Sequence, residues 1–173
     1  VVRRENLTTY HRTCAMNLSI VWPKVVRLFL SSVVVCLIGV ANTAYAGDVE
    51  ALYKAAGDGD SAQVSALLES GADINGRTGN GSYALNNAAV ENEVEVIKIL
   101  LERGADPNVQ NSQGDTPLIC ATKYAGGSPA TVRLLVEAGT DLAIKDRKGM
   151  NALDYAKANE QQEAIALLEK PSN

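Results

Sequence analysis

Side chains that could do chemistry are scarce in this chain of 173 residues, and almost none lie beyond residue 46. The one histidine is His11, so residues 47–173 cannot form a Ser-His-Asp or Cys-His arrangement. A zinc site would need several histidine or cysteine ligands, and this stretch has only Cys120. No glycine-rich phosphate-binding loop follows a strand pattern. The sequence therefore argues against an enzyme, a metal site and a cofactor.

Two features could still carry chemistry, and each has a simpler interpretation. Gly57-Asp58-Gly59-Asp60 is similar to part of a calcium loop, but it lacks the 12-residue ligand pattern that ends in glutamate, which favours a polar turn. Cys120 has no second cysteine to pair with in residues 47–173, and we predict a buried small side chain there rather than a redox-active or intermolecular thiol. The acidic residues are spread along the chain, which favours a solvated surface over paired catalytic carboxylates.

Residues 1–46 have the features of a secretory signal peptide. Five basic residues and one acidic residue precede an uncharged stretch, whose most apolar part is the 13-residue segment Leu28–Val40. The small side chains of Ala44 and Ala46 suit the pockets of a signal peptidase. We predict cleavage after Ala46, so that Gly47 begins a periplasmic or secreted protein.

The start and fate of this leader allow alternatives. Counting from Met16 shortens the leader to 31 residues. We expect translation to begin there, with Val1 as an upstream alternative start codon of a bacterial gene. An uncleaved anchor to the inner membrane would use residues 28–46, although an anchor needs about 20 apolar residues and the end of this segment is weakly apolar. A lipoprotein is disfavoured because Cys36 lies in the middle of the apolar core.

The charge balance changes when the leader is set aside. The whole chain has 16 basic and 20 acidic residues, a net charge of −4. Residues 47–173 keep 11 basic and 19 acidic residues, a net charge of −8. A nucleic-acid-binding domain needs a basic face, so we expect no nucleic-acid partner.

Residues 47–173 contain one unit four times. Gly-Ala-Asp or Gly-Thr-Asp turns begin at Gly71, Gly104 and Gly139, at spacings of 33 and 35 residues. The leucine that opens an apolar helix recurs with spacings of 33 or 35, at Leu52, Leu85, Leu118 and Leu153. An apolar second helix follows each, and glycine after it favours a left-handed cap. One unit cannot bury its own apolar face, whereas stacked units can.

This unit resembles the ankyrin repeat over about residues 48–170. The resemblance rests on Gly114-x-Thr116-Pro117-Leu118, on the alanine pairs Ala55-Ala56 and Ala88-Ala89, and on the Gly-Ala-Asp turns with Ile74-Asn75 and Asn108 after them. It implies an all-α solenoid of four helix-turn-helix repeats with projecting loops, after the signal peptide of residues 1–46. We place the repeats at about 48–77, 78–110, 111–145 and 146–170.

The chain departs from the family pattern at two kinds of position. Tyr83-Ala84 and Asn151-Ala152 replace the family's Thr-Pro. The usual histidine of the first helix is replaced in each repeat, by Tyr53, Asn86, Ile119 and Asp154. We expect weaker helix capping and weaker hydrogen bonds between repeats.

The resemblance implies that a partner protein is bound by the loop tips and by the exposed face of the first helices. Tyr124, Arg147 and Arg77 are our choice of anchors, because tyrosine and arginine are enriched among binding hot spots. The full predicted partner-binding set is Arg77, Asn80, Ser82, Glu91, Gln110, Ser112, Gln113, Asp115, Lys123, Tyr124, Lys145, Arg147, Lys148 and Met150.

The expected function is that of a non-catalytic protein-protein interaction module in the periplasm, with no small-molecule substrate. It could protect or regulate a co-exported enzyme. One alternative is an immunity or inhibitor protein that neutralises a toxin or hydrolase, since an acidic molecule would suit a basic partner. Another is a scaffold tethered to the membrane by an uncleaved signal.

Overall fold

The computed structural model describes residues 48–169, and these form eight α-helices in four consecutive pairs with no β-strand. The signal-peptide prediction, with its cleavage-site residues Ala44, Ala46 and Gly47, lies outside the described residues. The helices are α1 (48–57), α2 (Ser61–Glu69), α3 (Ala84–Glu91), α4 (Val94–Glu102), α5 (Pro117–Lys123), α6 (Pro129–Glu137), α7 (Ala152–Ala158) and α8 (Gln162–Leu168). Within 48–169, no helix combines the length and the apolar character needed to cross a bilayer.

The helices stack in two layers along the chain. In one layer α3 packs on α5 and α5 on α7, and in the other α2, α4, α6 and α8 follow one another. Leu85 and Leu118 are buried in the first layer, and Ile97 and Leu135 are buried in the second. Leu52 of α1 is buried as well. The apolar spacing in the sequence therefore predicted the core, and the expected all-helical solenoid is what the described residues show.

Side-chain caps begin several of the helices. Thr116 Oγ1 accepts a hydrogen bond from the Ile119 N–H at 3.2 Å, and Pro117 occupies the first turn of α5. Asn151 caps α7 in a capping box, in which the Asp154 carboxylate accepts a bond from the Asn151 N–H. The expected weak capping at Asn151 is therefore wrong, because asparagine is as good an N-cap as threonine. At Tyr83 the expectation is confirmed, since this residue makes no side-chain cap.

The Gly-Ala-Asp turns join consecutive repeats. Gly71, Gly104 and Gly139 have φ values between 82° and 96°, as predicted for glycine caps after the second helices. The Asn75 side-chain oxygen accepts a bond from the Asp106 N–H at 2.9 Å. One repeat later, the Asn108 side chain accepts from the Asp141 N–H at 2.8 Å. The second and third turns are thus each held by the asparagine of the turn before.

The projecting loops are closed by a residue that the sequence analysis did not single out. The side-chain oxygens of Thr78, Asn111 and Asp146 each accept a bond from the N–H four residues further along the chain. Backbone bonds then connect neighbouring loops, from the Ser112 N–H to the Gly81 carbonyl and from the Arg147 N–H to the Gln113 carbonyl. Hydrogen bonds both within and between loops make the row of loops an ordered surface.

We predict that Thr116→Ala lowers the free energy of unfolding by about 1 kcal/mol, because the cap of α5 is lost in a buried position. Urea denaturation followed by circular dichroism measures this change. Ser128→Ala is the matched control, since Ser128 precedes α6 without a side-chain cap bond. Equal destabilisation by the two variants would contradict a stabilising role for the Thr116 hydroxyl.

Candidate functional site

A groove of about 370 Å³ lies between the first helices of three repeats and two of the projecting loops. Helices α1, α3 and α5 contribute one side of it, and the loops that precede α3 and α5 contribute the other. Its lining residues are Tyr53, Ser82, Asn86, Asn87, Val90, Glu91, Asn111, Gln113, Cys120 and Tyr124. Side chains from separate repeats can therefore contact one bound segment together.

Asn86 and Cys120 form the floor of the groove, where both residues are 1% exposed. The Asn86 Nδ2 group donates to the Asp115 carbonyl at 3.1 Å and lies 3.6 Å from the Cys120 Sγ atom. The Asn86 Oδ1 atom is buried and accepts no hydrogen bond from the protein. Asn86 therefore links two repeats through its amide nitrogen, while its amide oxygen is buried without a donor.

This bond corrects one expectation about the family's missing histidine. We expected Asn86, in the histidine position, to weaken the hydrogen bonds between repeats. Instead Asn86 makes such a bond, and the neighbouring Asn87 makes another, from its Nδ2 group to the Tyr53 carbonyl at 2.9 Å. An asparagine amide can replace an imidazole here because each has a donor within reach of the next repeat's backbone.

Cys120 is buried and free, which confirms the prediction of a small core side chain. Burial raises the pKa of its thiol to about 12, although the hydrogen bond from Asn86 by itself lowers this pKa. A thiol with so high a pKa stays protonated near neutral pH and is a poor nucleophile. The residue contributes to the floor of the groove without offering reactive chemistry.

The rim of the groove is polar and aromatic. Tyr124 is 49% exposed and is the large hydrophobic side chain that the described part of the chain leaves in solvent. Its hydroxyl lies 3.2 Å from the Gln113 side-chain oxygen and 3.4 Å from an Asp115 carboxylate oxygen, so it can donate to either. Glu91 is exposed on α3. Ser82, Glu91, Gln113 and Tyr124 are thus predicted residues that the structure brings together.

Asp115 and Lys123 belong to the interior and not to the accessible surface where we expected them. The Lys123 ammonium lies 3.0 Å from both Asp115 carboxylate oxygens and 3.5 Å from Asp146. The three side chains are 11%, 0% and 1% exposed. Tyr155 completes the cluster by donating its hydroxyl to Asp146 at 2.6 Å. The Lys123 ammonium is paired with both carboxylates, and Asp115 is fully buried. Neither side chain is therefore accessible to a partner.

The surroundings of Asp146 and Lys123 favour the charged form of each side chain. Burial alone would raise the pKa of Asp146, but bonds from Tyr155 and from two backbone N–H groups, with the Lys123 charge nearby, lower it to about 2. Burial alone would lower the pKa of Lys123, but the hydrogen bond to Asp115 and the contact with Tyr124 raise it above its ordinary value. Asp146 and Lys123 therefore both stay charged near neutral pH.

The other predicted residues lie on the loops, outside the lining of the groove. Met150 is half-buried against the core. Ser112 is half-buried and braces the neighbouring loop. Lys145, Arg147 and Lys148 make no ion pair in the described residues, which leaves three free cations at one loop tip. The remaining exposed loop residues are Arg77, Asn80, Gln110, Lys145, Arg147 and Lys148.

Sequence reasoning missed part of the lining as a binding surface, namely Tyr53, Asn86, Asn87, Val90 and Asn111. A signal for two of them was present in the repeat. Tyr53 and Asn86 each follow the buried leucine of a first helix by one position, at the same spacing of 33 residues. The position after the buried leucine faces the loops, so it could have been predicted as part of the binding surface as well as the site of the replaced histidine.

Residues 57–60 have a structural role. Asp60 caps α2 by accepting from the Gln63 N–H at 2.9 Å, and Asp58 pairs with Lys54. These contacts account for the two carboxylates as parts of a polar turn. No cluster of metal-ligating side chains is present among residues 48–169.

A family model for ankyrin repeats in three copies matches residues 23–111 and 88–173 of the chain. The two matches together cover most of its length, and they include the helix pairs and linking turns described above. The chain belongs to the ankyrin-repeat family. Ankyrin repeats are generic protein-protein interaction modules and are typically non-catalytic, so a binding surface is the functional feature to expect of this chain.

We predict that Lys123→Met destabilises the ankyrin domain by about 3–5 kcal/mol, since it leaves two buried carboxylates without their cation. Lys98→Met is the matched control, because Lys98 is exposed on α4 and makes no ion pair among the described residues. Urea unfolding of both variants is the measurement. A loss no larger than that of the control would show that the ion cluster does not stabilise the fold.

Proposed function

We propose that this protein is a non-catalytic binding module that holds a partner protein in the groove and against the tips of its loops. The observation that carries this proposal is the exposed Tyr124 at the rim of a groove lined by three repeats. Exposed aromatic side chains beside a pocket are common anchors in protein interfaces. The family of the chain supports the same conclusion.

The order of the loops supports binding without large rearrangement. The turn asparagines and the backbone bonds between loops fix the spacing of the tips before a partner arrives. A preformed surface loses little conformational entropy on association, which improves affinity. Lys145, Arg147 and Lys148, which make no ion pair among the described residues, add a local positive patch to an otherwise acidic molecule.

We predict that Tyr124→Ala weakens partner binding by about 30-fold, as expected for a hot spot worth about 2 kcal/mol. The partner is first captured from periplasmic extract, and its affinity is then measured with the purified proteins. Tyr124→Phe keeps the ring and should bind within a few-fold of the unchanged protein. Lys98→Ala on α4 is the control for a surface away from the groove. Unchanged affinity in Tyr124→Ala, with unchanged unfolding, would remove the groove from the proposal.

We further propose that the protein is exported and acts in the periplasm. The support is the sequence of residues 1–46, with its basic residues, its apolar segment and the small residues Ala44 and Ala46. We predict that the intact mass of protein from a periplasmic fraction corresponds to a chain that begins at Gly47. A mass that includes residues 28–46, recovered with the membranes, would instead support the tethered scaffold.

The partner could be a co-exported enzyme that the ankyrin domain protects or regulates. The net charge of −8 over residues 47–173 also favours a second candidate, an inhibitor or immunity protein for a basic toxin or hydrolase. The activity of the captured partner separates the two. Stoichiometric loss of its activity on mixing supports inhibition, and a longer active lifetime supports protection.

A further inference from the structure

We propose that the last projecting loop binds an acidic segment of the partner protein through Lys145, Arg147 and Lys148, which we call the basic tip. Carboxylates of that segment pair with these three cations. This inference rests on the proposed function, because it names the chemistry of the partner at one edge of the same binding surface. The charges, hydrogen bonds and position of the tip support it.

The basic tip concentrates exposed positive charge. Lys145, Arg147 and Lys148 are exposed within four consecutive residues, and none of them makes an ion pair in the part of the chain that the structure describes. The fourth residue, Asp146, points inward, since its side chain is 1% exposed and lies 3.5 Å from the Lys123 ammonium. Like charges repel at this spacing, so a carboxylate that approaches from solvent is attracted by all three.

The backbone of the loop holds the tip in place. The Asp146 carboxylate accepts hydrogen bonds from the Lys148 N–H at 2.8 Å and from the Tyr155 hydroxyl at 2.6 Å. The Arg147 N–H donates to the Gln113 carbonyl of the neighbouring loop at 3.1 Å. These bonds use the backbone of Arg147 and Lys148, and both side chains stay in solvent. A fixed backbone reduces the conformational entropy that is lost when a partner binds.

Gln113 connects the basic tip to the rim of the groove. Its side-chain oxygen lies 3.2 Å from the Tyr124 hydroxyl, and its backbone carbonyl accepts the bond from the Arg147 N–H. Tyr124 and Arg147 therefore both contact one residue, although they belong to different repeats. A partner anchored on Tyr124 reaches the basic tip along a continuous surface.

The positive charge is confined to this tip. Residues 107–114, in the neighbouring loop, contain no charged side chain. The carboxylates that flank the tip in sequence are bonded to nearby backbone: Asp141 accepts from the Ala143 N–H at 2.9 Å and Asp154 from the Asn151 N–H at 3.0 Å. The matching region of a partner is therefore short.

A short acidic protein segment fits this patch better than a nucleic acid or an anionic membrane. Residues 47–173 have a net charge of −8, so a polyanion that extends beyond the tip is repelled by the rest of the molecule. Nucleic-acid binding depends on basic residues placed along many phosphates. Two or three neighbouring carboxylates match the three cations, and the Arg147 guanidinium can hold a carboxylate by two parallel hydrogen bonds.

The binding test uses two peptides and the 15N-labelled protein. The acidic probe is acetyl-Gly-Glu-Glu-Glu-Gly-amide, and acetyl-Gly-Gln-Gln-Gln-Gly-amide is a neutral probe of the same length and nearly the same shape. We expect saturable NMR shifts at the backbone N–H groups of Arg147 and Lys148 with the acidic peptide alone. The affinity should fall as the salt concentration rises, because salt screens exposed charges.

The role of the tip is tested by Arg147→Gln/Lys148→Gln, which removes two cations and keeps the backbone bonds of both residues. We expect the acidic peptide and the captured partner to bind about 5-fold more weakly, as for two exposed charge pairs of about 0.5 kcal/mol each. Lys98→Gln/Arg133→Gln is the matched control, since it changes the net charge equally at exposed positions of α4 and α6 that make no ion pair among the described residues. It should bind within about 2-fold of the unchanged protein.

The results that would overturn the inference are distinct. Equal affinity for the acidic and neutral peptides, or shifts only outside the last loop, would show that the tip does not bind carboxylates. Equal losses in the two double variants would show that only the overall charge matters. Tighter binding of tetrathymidylate, which carries three phosphates, would assign the tip to a nucleic acid. Binding to phosphatidylglycerol vesicles that Arg147→Gln/Lys148→Gln abolishes would assign it to a membrane.

The partner measurements separate this inference from the proposed function. If Tyr124→Ala weakens the captured partner and Arg147→Gln/Lys148→Gln does not, the inference fails and the proposed function stands. If the acidic peptide binds at the tip as expected and neither variant affects the partner, the proposed function fails, while the preference of the tip for carboxylates stands.

Discussion

Each helix pair of this chain has an apolar face that it can cover only with the helix pair next to it. The buried residues follow this constraint, since Leu85 and Leu118 lie in consecutive first helices and Ile97 and Leu135 in consecutive second helices. Stability in such a stack is approximately a sum of repeat and interface contributions. The position of every loop and of every side chain in the groove therefore depends on how well neighbouring pairs pack.

Apolar contacts are not directional, so they do not by themselves fix the alignment of neighbouring repeats. Buried polar groups add directional hydrogen bonds between the repeats. The Asn86 amide must meet the Asp115 carbonyl, and Asn159 and Gln161 both donate to the Thr122 carbonyl of the repeat before theirs. The pairs of Lys123 with Asp115 and Asp146 connect the third and fourth repeats in the same way. A buried polar group is costly when its partner is displaced, so these contacts favour one arrangement of the stack.

The same interior explains why some polar residues are available for binding and others are not. Lys123 and Tyr124 are adjacent in the chain, yet the first is held between carboxylates and the second is half in solvent. Lys123 also lies about 5 Å from the centres of the Tyr124 and Tyr155 rings. The Lys123 ammonium is therefore close enough to the Tyr124 ring for a cation–π contact.

Much of the fold was determined by the sequence itself. The spacing of 33 or 35 residues, the glycines after the second helices and the Thr116-Pro117 start of α5 depend on local conformation and on apolar periodicity, which a sequence displays directly. The exposed Tyr124 and the buried Cys120 could be predicted from their positions in the repeat.

Only the tertiary structure decided that Asp115 and Lys123 turn inward, because each is stabilised by charges from other parts of the chain. It also decided that Asn86 bonds across repeats through its nitrogen, while its oxygen is buried without a donor. Such roles depend on which backbone atom of the next repeat lies within about 3 Å, and a sequence does not record that distance.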